Sequence, residues 1–485
     1  MKHGKWIGSV LTAVFFMIGS TSIAVAEEIP TPDYPSFEEE VTITWWTWTA
    51  NTDKVIKEFN NVYPNIEVKP FLIGAGKPQY NKLTTAIMAG TGAPDVVQIE
   101  YQYLPKFIDS GGLLDISEYV DRYEPFFQPW TWEQTRRGEH VYAIPEDIGP
   151  LVLLFRPDVF EKYGLSQPET WDEFAENAKE LHQKNPDQSM AYFPVNNGGW
   201  ITGMLWQAGV QPFQRTSDGW KINLNSPEAK KVINFWGDLI DKGYVDATND
   251  YTPSWESNIG KGKYASAIGA AWSPTYMIEP YVKPETKNWK AVDIPQWEKD
   301  GSFQTGNWGG SSNAVTKQSA HPEAAALFAA WINSSRKGLE MDIKGIKEGG
   351  RGQVPANKYG VQLPEFSEPN PALSNQVSGP VFEKAANSVN TSFQWSPWTD
   401  FVYNQMTIEF TKAATGEQSW DEALDNLQRS VTVFAKSMGY KVVEDEEAGT
   451  SGESVGGAIN SPAIPVLLVL AGLGVLTWRV RRSSV

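Results

Sequence analysis

Residues 41–100 read VTITWWTWTANTDKVIKEFNNVYPNIEVKPFLIGAGKPQYNKLTTAIMAGTGAPDVVQIE, and strand-like and helix-like patterns alternate along this stretch. Three segments, 41–47, 66–72 and 95–99, are rich in β-branched and apolar side chains and predict strands. The segments between them predict helices. Strands and helices that alternate at this spacing form a parallel sheet with right-handed crossovers, so the sequence predicts an α/β fold.

The two predicted helices have recognisable ends. The first is capped by Asn51 or Thr52 and stopped by Pro64, and the second ends at Gly90 or Gly92. Their apolar faces comprise Val55, Ile56, Phe59 and Val62 in the first helix and Tyr80, Leu83 and Ile87 in the second.

Further helices are predicted along the chain. TWDE at 170–173 has the spacing of a capping box, and Ser226 followed by Pro227 opens a helix that ends at Gly243. Late helices are predicted at 321–333, 401–414 and 419–438. A chain of this length is too long for one core and suits two lobes.

Both ends of the chain carry apolar segments outside this pattern. Residues 1–26 combine lysines, an apolar run and the small residues AVA, which predicts a secretory signal peptide, followed by a linker at 27–40. As a helix, the apolar run 462–478 would be roughly 25 Å long, and arginines follow it. We expect a transmembrane anchor with a cytoplasmic tail at 479–485 and all preceding residues on the extracellular face. The alternative is a buried C-terminal helix, but the Gly- and Ser-rich linker at 441–461 favours the anchor.

The composition excludes several classes of function. The formal net charge of −17 keeps an exported domain soluble and argues against nucleic acid as a partner. The chain has no cysteine, which excludes disulfides, thiolate catalysis and a lipid carried by a cysteine. The four histidines do not cluster, so neither a metal site nor a cofactor is expected. We expect a monomer.

Tryptophan is unusually frequent, with 21 residues, and many of them lie where the chain turns. Trp48 follows the first predicted strand, Trp200 follows two glycines, and Trp308 precedes two glycines. A large flat ring on a loop is typical of a contact surface. With polar groups at its edge, such a ring suits the C–H face and the hydroxyl groups of a sugar.

Short motifs spread over 41–438 resemble those of a known family. They are APDVVQ at 93–98, GGLLDI at 111–116, AIP at 143–145, LVLLFRPD at 151–158, TWDEF at 170–174, IGAAW at 268–272, WGG at 308–310 and QVPA at 353–356. In order and spacing the chain resembles the extracellular solute-binding proteins of ATP-driven importers, in particular the sugar-binding group related to maltose-binding protein. The resemblance implies a protein that is not an enzyme and that delivers a sugar or oligosaccharide to the permease subunits of an ABC transporter.

The resemblance also implies two α/β lobes joined by three chain crossings. The crossings are expected near 147–152, 307–313 and 346–354. The first lobe would comprise 41–147 and 313–346, and the second 152–307 and 354–440. The ligand is expected between the lobes, where the carboxyl ends of parallel strands meet.

The expected ligand site combines this resemblance with the chemistry of sugars. Trp272 is the expected stacking plate, because the family carries an aromatic residue at the matching strand end. Trp48 and Thr49 are expected on the opposite wall, while carboxylates and amides accept hydrogen bonds from hydroxyl groups. Further predicted ligand contacts are Trp46, Glu100, Tyr101, Glu146, Asp147, Trp200, Trp308, Arg351 and Trp398.

Several of these residues have an ordinary structural alternative. A tryptophan beside a strand end can cap the core, which applies to Trp46, Trp200 and Trp398. Glu146 and Asp147 can be hinge-surface carboxylates, and Arg351 can pair with a surface carboxylate. The tryptophans expected in the core rather than in the site are Trp171, Trp331 and Trp420.

Two other functions remain open from the sequence alone. A membrane-tethered glycoside hydrolase would use two carboxyl groups from the set Glu100, Glu146, Asp147 and Glu256. A binding protein of the same fold can also serve a sensor or bind a polyol. The string EYQ at 100–102 departs from the maltose-binding pattern, which argues against maltose itself as the ligand.

Overall fold

The computed structural model of the protein describes Met1 and residues 29–443. Apart from Met1, the predicted signal peptide at 1–26 lies outside the described residues, and so does the predicted anchor at 462–478. Within 29–443, none of the helices is both long and apolar enough to cross a membrane.

The described chain alternates between strands and helices. The strands are β1 (Val41–Thr47), β2 (Ile66–Leu72), β3 (Val96–Glu100), β4 (Arg136–Arg137), β5 (His140–Val141), β6 (Ala143–Pro145), β7 (Leu151–Phe155), β8 (Tyr192–Pro194), β9 (Phe213–Thr216), β10 (Gly219–Ile222), β11 (Asp246–Thr248), β12 (Ser266–Ala270), β13 (Lys290–Val292), β14 (Ser311–Val315), β15 (Pro369–Asn370) and β16 (Gln376–Val377). The α-helices are α1 (Thr52–Asn60), α2 (Lys77–Ala89), α3 (Leu104–Asp109), α4 (Ser117–Val120), α5 (Pro129–Gln134), α6 (Pro157–Tyr163), α7 (Trp171–Lys184), α8 (Gly198–Gln207), α9 (Pro227–Asp241), α10 (Pro253–Lys261), α11 (Pro322–Ser334), α12 (Arg336–Ile343), α13 (Gly379–Ala386), α14 (Thr399–Ala414) and α15 (Trp420–Ser437).

The first sheet has the strand order β2-β1-β3-β14-β6. The strands β1, β2 and β3 are parallel, as predicted from residues 41–100, whereas β14 is antiparallel to both of its neighbours. Since β6 is antiparallel to β14, it runs in the same direction as β1 and β3. The helices α1 and α11 pack against this sheet, α12 packs on these two helices, and we call the resulting body lobe 1.

The second sheet is built around β7, which is antiparallel to its neighbours β12 and β13. The strands β8 and β11 form a parallel pair. A parallel bridge between Ser189 and Tyr264 connects that pair to the start of β12. The helices α8, α9, α14 and α15 pack together around these strands, and we call this body lobe 2.

The chain passes between the two sheets more than once. The strand β6 belongs to the first sheet and β7 to the second, and the same change occurs in reverse between β13 and β14. After α12, which packs on lobe 1, the chain reaches α13, which packs against β7. The residue limits of the lobes and of the crossings given above stay a prediction.

The ends of the first helix differ from the prediction. Asn51 adopts a left-handed conformation with φ of 54° and its side chain does not cap α1. Instead its amide nitrogen donates to the carbonyl oxygens of Ile346 at 3.1 Å and Gly350 at 2.7 Å. The helix ends at Asn60, and Val62 is 55% exposed, so its assignment to the apolar face was wrong.

The predicted starts of two later helices are confirmed by their side-chain caps. Thr170 and Glu173 form a reciprocal capping box at the start of α7. The side chain of Ser226 accepts a hydrogen bond from the backbone of Ala229 at the start of α9. The tryptophans predicted in the core are buried there, namely Trp171, Trp331 and Trp420.

Candidate functional site

In lobe 1, the carboxyl ends of three strands lie along one edge of the sheet. Trp48 follows β1, Glu100 is the last residue of β3, and Glu146 follows β6. Because β14 runs the opposite way, its first residue, Ser311, lies at this edge as well. Carboxyl ends of parallel strands are where α/β proteins place their ligand sites.

In lobe 2, the corresponding edge carries a second set of loop residues. Asn197 follows β8, Asp250 follows β11, and Trp272 follows β12. The strand β7 begins at this edge, and only five residues separate it from the end of β6. So short a connection brings the two edges close together, and we take the space between the residues that follow their strands as the candidate cleft.

Trp272 lies where the two edges meet. Its ring is half-buried, and its indole nitrogen donates to the carbonyl oxygen of Trp308 at 3.0 Å. The Trp272 and Trp308 rings are tilted, with centroids 4.8 Å apart. A Cβ atom on Gly149 would lie 2.6 Å from the Trp272 indole nitrogen and 2.0 Å from the Trp308 carbonyl oxygen, so this approach requires glycine.

Glu100 supplies a partly accessible carboxylate from lobe 1. Its two oxygens accept hydrogen bonds from the Tyr80 hydroxyl and from the Gln102 amide, each at 2.9 Å. Burial raises the pKa of Glu100 to about 6, and the negative charges of Asp147 and Asp400 add to the effect. The half-buried Trp48, whose backbone N–H donates to Gln98, lies beyond the end of the neighbouring strand.

Lobe 2 contributes an aromatic residue that the sequence did not single out. Tyr251 is 44% exposed and has a φ of 53°, which is rare for a residue other than glycine. Its neighbour Asp250 is buried and accepts a hydrogen bond from the Asn197 amide at 2.6 Å. Burial raises the pKa of Asp250 to about 6. Strained residues of this kind cluster at ligand sites, so Tyr251 is a candidate second ring.

Two polar contacts join the lobes across the cleft. Lys106 on α3 pairs with Asp400 in the first turn of α14, with 2.5 Å between the ammonium nitrogen and a carboxylate oxygen. Lys77 at the start of α2 donates to the side-chain oxygen of Asn404 at 2.8 Å. The structure therefore has its lobes in contact, with Glu100 near Asp400.

Glu146 and Arg351 lie in a buried ionic cluster behind the cleft. A guanidinium nitrogen of Arg351 is 2.8 Å from a Glu146 oxygen, and another contacts Asp342. The Ser311 hydroxyl donates to the neighbouring Asp147 at 2.6 Å and lies 3.1 Å from an oxygen of Glu146, and the Ser311 backbone N–H also donates to Asp147. Glu146 and Arg351 have no exposed surface, so neither side chain can contact a ligand in this structure. The predicted pairing of Arg351 with a surface carboxylate is wrong, because its partners are buried.

Other predicted contacts are also held in the interior. Trp200 is fully buried and donates to the Ile268 carbonyl oxygen at 2.9 Å, whereas Trp398 packs against Trp220 and Tyr440. The remaining buried predicted contacts are Trp46, Thr49, Tyr101, Asp147 and Trp308. Of the twelve predicted residues, only Trp48, Glu100 and Trp272 have side chains that are more than slightly exposed.

The fold agrees with comparisons to known proteins. The family model of the bacterial extracellular solute-binding proteins matches residues 45–338. The arabinooligosaccharide-binding protein of Bacillus subtilis is 23% identical over 312 residues, covering 62% of this chain and 70% of that protein. The lactose-binding protein of Rhizobium radiobacter is 26% identical over 309 residues, covering 60% of this chain and 70% of that protein.

Solved structures show the same fold. An ABC transporter associated binding protein from B. animalis subsp. lactis Bl-04, in complex with beta-1,6-galactobiose, is 27% identical with a TM-score of 0.70, and the match covers 84% of this chain and 100% of that one. The galacto-N-biose-/lacto-N-biose I-binding protein from Bifidobacterium longum is 24% identical with a TM-score of 0.73 over the same shares of the two chains. With an α/β fold like that of periplasmic binding proteins and a family model that matches most of its length, this chain belongs to the bacterial extracellular solute-binding protein family.

Proposed function

We propose that this protein is the extracellular substrate-binding component of an ABC importer and that it captures a sugar or oligosaccharide in the cleft between its lobes. The observation that carries the proposal is the position of Trp272. Its half-buried ring follows β12 at the strand edge of lobe 2, and its indole nitrogen donates to the Trp308 carbonyl oxygen in the segment that leads to β14 of lobe 1. An apolar plate surrounded by hydrogen-bonding groups is the chemistry that a sugar requires.

The proposed direct contacts are the accessible groups at the two edges. Trp48 and Glu100 serve from lobe 1, and Trp272 and Tyr251 serve from lobe 2. The Asp250 carboxylate holds the Asn197 side chain that follows β8. The buried residues of the predicted set, among them Glu146 and Arg351, position the chain segments that join the lobes.

The relatives support this class of ligand. Two of them are named for arabinooligosaccharides and lactose, and a solved relative holds beta-1,6-galactobiose. All three ligands are neutral and polyhydroxylated. The sequence feature that first indicated a sugar, rings placed at turns, agrees with this ligand class.

The proposed mechanism is closure of the lobes around the ligand. Only a closed form can satisfy hydrogen bonds from both edges at once, so a ligand shifts the equilibrium towards that form. The contacts Lys106–Asp400 and Lys77–Asn404 then form between the lobes. The three chain crossings would act as the hinge.

We further propose that the C-terminal run 462–478 anchors the exported protein beside its permease. An anchor of this kind keeps the binding domain at the membrane without a lipid on a cysteine. Fractionation of cells that express the full chain should place it in the membrane pellet. A chain that ends at residue 443 should appear in the medium, and its retention in the pellet would contradict the anchor.

A ligand screen tests the proposed function. Ligand that binds only the folded state raises the melting temperature with concentration, so the protein is heated with a panel of mono-, di- and oligosaccharides. The Trp272→Ala variant should lose the shift that a ligand gives, whereas Trp297→Ala, which removes another half-buried tryptophan outside the cleft, should keep it. If no saccharide raises the melting temperature, or if a glycoside is hydrolysed at a rate that Glu100→Ala abolishes, the proposal fails.

A further inference from the structure

The cleft carries carboxylates on both of its edges. Glu100 of lobe 1 and Asp400 of lobe 2 are partly exposed, whereas Asp147 of lobe 1 and Asp250 of lobe 2 are buried. Negative charge from Asp147 and Asp400 acts on Glu100, so the two edges share one electrostatic field. A charged ligand that enters this cleft loses much of the water that would screen it, which makes such a field effective.

The cationic side chains near this edge are held by partners. Lys106 is paired with Asp400 at 2.5 Å, and Lys77 donates to Asn404 at 2.8 Å. Lys82 places its ammonium group 4.4 Å from the ring centroid of Trp46. Arg351, fully buried between Glu146 and Asp342, is out of reach of a ligand.

We propose that this cleft selects neutral saccharides against anionic ones, and that Asp400 sets the selectivity by holding Lys106. A uronate or a sugar phosphate would bring its charge towards Glu100 and into the field of the buried Asp147, while the ammonium group of Lys106 is already paired with Asp400. The hydroxyl groups of a neutral sugar can instead donate to the Glu100 carboxylate. This inference rests on the proposed function, and it goes further by naming the charge class of the ligand.

Asp400 is a specificity-determining residue in this account because of its position. It lies in the first turn of α14, where the helix N-terminus stabilises a carboxylate. Its side chain and that of Lys106 are each about one third exposed, at 32% and 30%. Removal of the Asp400 charge would free the ammonium group of Lys106 at the mouth of the cleft, where it could pair with an anionic ligand.

The experiment compares matched ligands on the full chain by isothermal titration calorimetry. The probes are lactose, galactobiose and the same disaccharides oxidised at C6 to uronates. Like charges brought together in a binding site cost several kcal/mol, so the uronate should bind at least about 30-fold more weakly than its neutral parent. The measured quantity is the ratio of the two dissociation constants rather than either affinity alone.

Variants of the pair locate the source of the selectivity. Asp400→Asn should reduce the ratio of the uronate and neutral-sugar dissociation constants by about tenfold or more, because Lys106 becomes available to the uronate. Lys106→Gln should leave this ratio unchanged or increase it. In the double variant that combines Lys106→Gln with Asp400→Asn, most of the reduction caused by Asp400→Asn alone should disappear. The wild-type ratio is informative on its own should a variant fail to fold.

The outcomes separate this inference from the proposed function. Equal binding of a neutral disaccharide and its uronate by the wild type would overturn the inference and leave the proposed function standing. An unchanged ratio in Asp400→Asn would overturn the role of Asp400. If none of the probes and no other saccharide in the screen binds, the proposed function itself fails.

Discussion

Replacing Glu146 with Gln should flatten the dependence of this protein's stability on pH. Burial raises the pKa of Glu146 from 4.5 to about 7, although Arg351 beside it acts in the opposite direction. The folded protein therefore holds a proton on this group between those pH values, whereas the unfolded chain has released it. Stability must fall as the pH rises through this window and must level off above it.

The size of the effect follows from the same values. Each pH unit between 4.5 and about 7 contributes about 1.4 kcal/mol, so the full effect is about 3 kcal/mol and most of it lies between pH 5 and 8. Burial also raises the pKa of Asp147 and Asp342, which adds to the trend in the same direction. A glutamine side chain cannot titrate, so the difference between the parent and the Glu146→Gln variant reports the titration of Glu146 together with its effect on the neighbouring Asp147 and Asp342.

The assay is urea unfolding of a chain spanning residues 29–443, followed by tryptophan fluorescence at pH 5, 6, 7 and 8. The parent should lose roughly 2 to 3 kcal/mol more stability than Glu146→Gln between the lowest and the highest pH. Carboxylates whose pKa is lowered by partners, such as Glu340 and Glu409, act below about pH 4.5 and do not mask the comparison. Parallel pH profiles for the two proteins would refute the reasoning.

Three further outcomes are expected. Trp272→Ala should weaken sugar binding by about 2 kcal/mol with little loss of stability, while Trp171→Ala in the core should cost about 3 to 5 kcal/mol of stability. A Trp272→Ala protein that loses stability but keeps its affinity for sugar would exclude Trp272 as the stacking plate. Gly310→Ala should destabilise the protein more than Gly416→Ala, by at least about 1 kcal/mol in chemical unfolding. Both glycines have a positive φ, but only at Gly310 would the new Cβ lie close to a backbone oxygen, that of Asp147 at 2.8 Å. Saturating ligand should reduce the radius of gyration measured by small-angle scattering, and an unchanged profile would argue against closure of the lobes.

The parts of the fold that were predicted correctly have strong local signals. The strands and helices of 41–100 could be recognised because apolar periodicity and helix stop residues agree there. The strand β14 gave no such signal, since its sequence, SSNAV, is mostly small and polar. It is a strand because it fills a place in the middle of the first sheet, and that is a tertiary reason.

The site was predicted less completely than the fold. Trp272 could be proposed from the sequence because it follows a strand-like segment, but the candidate role of Tyr251 depends on an unusual backbone angle that its residue type does not reveal. The partnership of Glu146 with Arg351 joins residues 205 positions apart, so no local pattern encodes it. In the sequence, Asp400 is only an acidic residue at the start of a helix, and its pairing with Lys106 becomes visible only in the folded structure.

The place of β14 between β3 and β6 limits how early the first sheet can be completed. The strand β3 has β14 as its neighbour on one side, and β6 is attached to the sheet through β14. Until residue 315 is available, β6 lacks the strand that joins it to the sheet, and the chain must close a loop of well over 150 residues to pair the two. Such long-range pairing slows folding. A chain that is still unfolded when most of it has been synthesised can be threaded through a secretion channel, so the order of strands in this sheet suits an exported protein.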